Sequence, residues 1–308
     1  GMRDVPLEVT DGLEPGMTVA IRDEEHGGFY ETFARLTWVE EGWVGLDRGL
    51  HSDYRANLHP VLVTSYPLIF AIGVEDVAVR NLSLDGDRDR QPAGIGACRG
   101  AALYALRTRG LAVTDVEERG FQGEGLGFQM CSDVRITDCR FTENTGNGYH
   151  PGAGSTGVRF ERCVASDNEA AGFFFCVRAN HVTVRDSAFE GNRICGISVG
   201  TRDSYNLIER CTLASNEGPG LLFRETEEPV AMHDCRVIAC KIAENARSSG
   251  YGQVDVLGDA HDLELVRNEI RGTGDSKPGV WVAPSARRIR LAENHIARCD
   301  PEVDAVAA

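Results

Sequence analysis

The stretch "NGYHPGAGSTGVRFERCVASDNEAAGFFF", residues 147–175, holds one full period of a repeat and the start of the next. Its glycines Gly148 and Gly172 belong to a series, Gly125, Gly148, Gly172, Gly196 and Gly220, spaced 23, 24, 24 and 24 residues apart. Each is followed by an apolar, any, apolar triplet: "LGF", "YHP", "FFF", "ISV" and "LLF". A second stripe, "VRITDCRF", "VRFERCVA", "VTVRDSAF" and "LIERCTL", sets Cys139, Cys163, Ser187 and Cys211 24 residues apart. Cys240, Asn268 and Asn294 take the same slot in later copies that carry insertions, and Asn144, Asn168, Asn192, Asn216 and Asn245 stand five residues beyond it. Each unit reads as two or three short alternating strands separated by Gly, Asn and Asp turn residues.

A unit this short cannot bury its own apolar face, but stacked copies bury a continuous interior. The predicted fold class is all-β: a single-stranded right-handed parallel β-helix over residues 74–299, of about eight or nine rungs. Equivalent residues then stack roughly 4.8 Å apart, like upon like. The cysteine column becomes a buried ladder of free thiols and the asparagine column an internal amide ladder. Residues 1–73 do not follow the period. "LEPGMTVAIRD" and "ARLTWVEEGWVGLDR" read as strands, the latter a hairpin turning near Glu40 to Gly42, and this N-terminal β region is expected to cap the open end. "VEDVAVRNLSLDG" at 74–86 reads as the earliest rung, with Leu82 and Val116 heading the later cysteine column, and residues 300–308 read as a polar tail.

Charge narrows the partners. With 47 acidic against 32 basic residues the formal net charge is −15, which disfavours phosphate-backbone contacts, so no nucleic acid is expected. No apolar run of membrane-spanning length occurs, so no membrane partner is expected either, and the first residues lack a secretory leader pattern. The ten cysteines contain no zinc-type spacing, and no cysteine and histidine metal site is expected.

The period, with the blocks "YHPGAGS", "FFFCVRANH", "GISVGTRDS" and "LLFRE", resembles the pectate-lyase-like superfamily of right-handed parallel β-helix proteins over about residues 74–299, and within it a set of bacterial proteins that repeat these blocks. The resemblance implies a carbohydrate-active protein working on an acidic, uronate-containing polysaccharide as lyase, epimerase or glycoside hydrolase. The alternative is a non-catalytic glycan-binding or structural solenoid, since the superfamily contains both. It also implies a secreted or periplasmic location, a monomer or small homo-oligomer, and no cofactor, with calcium possible. The well-known motifs are missing. There is no Asn-x-Asp, Asp-Asp and Gly-His-Gly set in register, few acids precede residue 203 on the relevant face, and "YHPG" only approximates an Asp-Pro-His element.

Candidate site residues therefore come from the strand phase. With Tyr149 and Pro151, Phe173 and Phe175, Ile197 and Val199, and Leu221 and Phe223 inward, one outward column reads His150, Phe174, Ser198, Leu222, Asp255 and Trp281. A second reads Gln129, Gly152, Cys176, Gly200 and Arg224. Beyond the strand end, Arg178 stacks on Arg202 and Asp203 on Glu227, with Glu225 beside them. The catalytic candidates are His150, Arg202, Asp203, Arg224 and Glu225; the substrate-binding candidates are Gln129, Phe174, Arg178, Glu227, Asp255 and Trp281. Arginine forks suit uronate carboxylates, aromatic rings suit sugar faces, and His with a carboxylate suits acid and base roles. The same charges also suit an interleaved surface ion-pair network. His150 is expected to be exposed on the groove and, by rung spacing, roughly 16 Å from Arg224. Cys176 is outward by phase but has no evident base beside it, and His181 and His233 read as solvated or structurally hydrogen-bonded.

Overall fold

The computed structural model describes residues 1–26, 30–64, 67–91, 99–247, 250–274 and 277–299. The expected solenoid is there. A front sheet of nine parallel strands is built from Ile69–Ile72, Ala101–Leu106, Glu124–Gln129, Tyr149–Gly152, Ala171–Phe174, Cys195–Val199, Leu221–Phe223, Val254–Val256 and Val280–Val282. The remaining strands of each rung form a second, sixteen-stranded parallel sheet that wraps behind it. The first parallel pairing is between Ile69–Ile72 and Leu103–Leu106, so the helix starts a few residues ahead of position 74. The tail from residue 300 lies outside the described residues.

The repeat explains the interior. Side chains alternate along each strand, so Leu126, Tyr149, Phe173, Ile197 and Leu221 fall on one inward column, and all five are fully buried. Tyr149 packs edge-on against Phe141 and Phe160, and its hydroxyl donates to the Cys139 and Val164 carbonyls at 2.9 and 3.1 Å. Cys139, Cys163, Ser187 and Cys211 are all buried in a column, as expected. The thiols are free, and burial pushes the Cys163 pKa up to about 12, which makes it inert packing.

The asparagine column forms the amide ladder. Asn144, Asn168, Asn192 and Asn216 each donate Nδ2 to Oδ1 of the next asparagine, ending at Asn245, at 3.0, 2.9, 3.1 and 2.8 Å. The same oxygens accept the backbone N–H of the preceding rung's asparagine. These bonds satisfy the turn, where the backbone leaves the sheet pairing. Before each slot of the cysteine column stands a left-handed residue: Asp138, Arg162, Asp186 and Arg210, with φ between 50° and 55°. Their side chains pair across rungs, Arg162 with Asp138 and Arg210 with Asp186, each bidentate within 2.9 Å. The interleaved charge ladder is therefore real, but it runs along this turn and not through Arg178 and Arg202.

The N-terminal region is a five-stranded sheet with its own small core of Val5, Val19, Ile21, Ala34, Leu36, Val44 and Leu46, and the expected hairpin joins Thr32–Glu40 to Trp43–Leu46. It touches the first rungs of the helix at Tyr104. Phe33 stacks on Tyr104 with centroids 6.5 Å apart, and Arg99 lies over Phe33 while donating to the Glu31 carbonyl at 2.8 Å. Leu82, expected at the head of the buried cysteine column, sits in register with Val116 yet is 39% exposed.

Candidate functional site

The predicted outward column is correct in register. Tyr149 pairs with Phe173, which sets His150 beside Phe174; Phe174 pairs with Ser198, Ser198 with Leu222, Leu222 with Asp255, and Asp255 with Trp281. What the phase could not give is depth. His150 is only 5% exposed, so the expectation of a solvent-facing histidine fails. Its Nδ1 sits 2.7 Å from both carboxylate oxygens of Glu124, itself buried on the preceding front strand and held by Asn147 Nδ2 at 2.9 Å. Burial opposes the charge on His150, but Glu124 and Cys176 beside it together more than offset that and lift the imidazole pKa to about 10. His150 is therefore an imidazolium at neutral pH.

Arg224 closes the gap that rung spacing left open. Its guanidinium folds back over the Phe174 ring, 4.2 Å from the centroid, and Phe174 lies edge-on to His150 with centroids 5.1 Å apart. The 16 Å expectation measured backbone positions and ignored the length of an arginine side chain. Nη1 donates to Ser198 Oγ at 2.6 Å and Nη2 to the Phe175 carbonyl at 2.8 Å. Glycine makes this posture available: a Cβ on Gly200 would lie 2.0 Å from Nη2.

The rest of the expected patch does not converge. Asp203 is fully buried, its two oxygens accepting the Ala179 and Gly200 N–H groups at 2.9 Å each, and burial raises its pKa to about 7. It anchors a turn and touches the site only through Arg224 Nη2 at 3.6 Å. Arg178 and Arg202 are exposed turn residues with φ of 64° and 57°, Glu225 and Glu227 are exposed, and none of these four makes an ion pair among the described residues. Asp255 is buried and accepts the Gly252 N–H at 2.9 Å, with its pKa raised to about 6 by burial. Trp281 is 42% exposed at the far end of the column. Gln129 is fully buried with neither side-chain atom bonded among the described residues. His181 and His233 stand in an outer stack with Tyr205 and His261, with ring centroids 5.1 to 5.2 Å apart.

Two residues were missed or discounted. Glu124 immediately precedes Gly125, in the slot that Asn147, Ala171, Cys195 and Pro219 occupy on later rungs, so its place on the site's strand edge was readable. Cys176 has a base beside it after all, His150 one strand back. Among the described residues no group of three or more His, Cys, Asp or Glu side chains is placed to hold a metal ion.

The right-handed β-helix region family matches residues 94–207 and 175–306. No curated protein matches the sequence. Among solved structures, the A-module of the Azotobacter vinelandii mannuronan C-5 epimerase AlgE6 superposes with a TM-score of 0.53 at 14% identity, over 74% of this chain and 70% of that one. The AlgE4 A-module from the same organism gives 0.52 at 16%, over 74% and 71%. The catalytic domain of a GH87 α-1,3-glucanase in complex with nigerose gives 0.47 at 11%, over 72% and 50%. Identities this low speak for the fold.

Proposed function

We propose, from the premise that this chain belongs to the right-handed β-helix family, that it is a carbohydrate-active protein whose outer front-sheet column receives an acidic polysaccharide. The observation that carries this is Arg224 laid over Phe174 beside the buried His150–Glu124 pair. Two of the five guanidinium N–H donors are bound by the protein and Nη2 also faces Asp203 at 3.6 Å, leaving the Nε and second Nη1 hydrogens for a carboxylate, and the half-buried position strengthens such a bond over one in water. His150, ionised at neutral pH, supplies a proton donor within one ring of that arginine. Leu222 and Trp281 extend the column as an apolar wall for sugar faces. Lyase, epimerase and hydrolase chemistry all use a carboxylate clamp and a proton donor. The mannuronan epimerase likeness, a likeness of fold, makes uronates the first polymers to try.

The test is a panel of uronate polymers scored for unsaturated ends, for reducing ends and for C-5 inversion, with and without calcium. Turnover in any channel is expected, lost in Arg224→Ala and kept in Arg202→Ala. The second reading, a non-catalytic glycan-binding solenoid, is favoured by the splayed, unpaired Arg178, Arg202, Glu225 and Glu227. Uronate binding without turnover would select it, and neither binding nor turnover would sink both.

A further inference from the structure

Around Gly152 three side chains converge on one small space. A Cβ built there would lie 3.1 Å from Cys176 Cβ, 3.5 Å from Gln129 Cγ and 3.5 Å from His150 Cδ2, the ring carbon bonded to Nε2. The imidazole therefore turns its Nδ1 edge to Glu124 and its Nε2 edge toward Cys176 and Gln129. Nε2 of His150 and both polar atoms of the Gln129 amide are buried with no hydrogen-bond partner among the described residues. Polar groups orphaned at such depth are costly, and three in one place point to a ligand that satisfies them. Of these side chains only Cys176 is partly open to solvent; Glu124, Gln129 and His150 are buried behind it.

We propose that Cys176, His150 and Glu124 form a nucleophilic array for acyl transfer, with a small O-acyl ester as its substrate class. Cys176 Sγ attacks the ester carbonyl, the carbon–oxygen bond breaks, and the leaving alkoxide takes the proton from His150 Nε2. His150 then removes a proton from water, whose hydroxide cleaves the thioester and releases the carboxylic acid and the thiolate. Gln129 lies where its N–H groups can meet the oxyanion, and Glu124 is a positioning residue that fixes the imidazole and keeps it charged. The half-open position of the thiol, in front of its buried base, is what a nucleophile needs and what packing does not. Nε2 and the thiol lie within electrostatic reach but without a well-formed hydrogen bond at rest, as in many unliganded sites where the contact tightens with substrate.

The electrostatics agree. Burial alone pushes the Cys176 thiol up, but its interaction with the His150 imidazolium outweighs that and lowers it. The other ionisable groups around it are Glu124 behind His150, and Arg224, Asp203 and Cys195 on the following rungs. Elsewhere the free thiols Cys131, Cys139, Cys163, Cys195, Cys211, Cys235 and Cys299 are shifted upward, and Cys240 is lowered chiefly by its contact with the buried Cys211 thiol, not by a histidine. That the alcohol half of the ester is an anionic sugar rests on the function proposed above; the thiol chemistry does not.

The full chain is mixed with p-nitrophenyl acetate, quenched in acid and mapped by mass spectrometry. One acetyl group on the peptide carrying Cys176, with a burst of about one equivalent of p-nitrophenol, is expected, and Cys176→Ser should abolish both. Iodoacetamide should alkylate Cys176 at a lower pH than it does a free thiol, and Glu124→Gln should move that profile toward the free-thiol value of about 8.5. Acyl release should slow by about tenfold or more in Glu124→Gln. No Cys176 adduct, or a parent alkylation profile centred near that of a free thiol, overturns the array even if uronates are turned over. Adducts on neutral esters with no discrimination for O-acetylated over bare uronates would leave the array standing and remove the sugar.

Discussion

Replacing Gly200 with alanine isolates the residue on which the proposed site turns. The backbone there is not left-handed, so alanine is conformationally acceptable and by itself returns about 0.4 to 1 kcal/mol through the unfolded chain. The new methyl would stand 2.0 to 2.4 Å from Nη2, Cζ and Nε of Arg224, so the guanidinium has to leave. It then gives up its bonds to Ser198 Oγ and the Phe175 carbonyl, about 1.5 to 3 kcal/mol each at most, and its seat on Phe174, about 0.5 to 2 kcal/mol. Rehydration of the freed charge and the backbone gain return part of that, and a net loss of about 2 kcal/mol is expected in urea unfolding. The decisive measurement is the cycle of Gly200→Ala, Arg224→Ala and the double variant. If the glycine acts only through the arginine, the double variant matches Arg224→Ala in uronate turnover or binding, and in stability differs from it only by the backbone gain of about 0.4 to 1 kcal/mol. Additivity to within about 0.5 kcal/mol would refute the reasoning, because the two positions would then be independent.

Asn192 accepts from the Asn168 N–H and Nδ2 and donates to Asn216 Oδ1 and the Ala165 carbonyl, so Asn192→Ala strands several buried groups. A loss of about 3 kcal/mol or more is expected in urea unfolding, and one under about 1 kcal/mol would mean the ladder is dispensable. Glu118, which takes the Asn144 amide at the ladder's head, has its pKa raised to about 8 by burial against the pull of that bond. A folded value above the unfolded one, about 4.3, makes its contribution full below that pH and lost as pH rises through about 8. Glu118→Gln should therefore match the parent near pH 4 and exceed it at pH 9, and a gap that does not widen with pH refutes the assignment. Arg162→Ala, on the exposed turn ladder, should leave the unfolding midpoint unmoved in 0.15 M salt despite its bidentate geometry, since solvent screens such pairs. A clear drop would show the ladder to be structural.

The sequence by itself determined the solenoid, because stacking puts each residue against its own equivalent and a period becomes a contact. The buried thiol column, the asparagine ladder and the column from His150 to Leu222 follow from the 24-residue spacing, and Asn245, Asp255 and Trp281 join them once the later insertions are aligned. Phase along a strand assigns a side chain to one face; it does not say what lies over that face. Hence His150 and Asp203 were placed at the surface and are buried. Tertiary structure decided two further matters. Arg224 spans the rungs that separate it from Phe174 because a long side chain reaches farther than the rung spacing, and the bare Gly200 leaves it room. Glu124, His150 and Cys176 come from three successive rungs, and no repeat marks them, since a functional cluster departs from the like-on-like rule that made the fold legible.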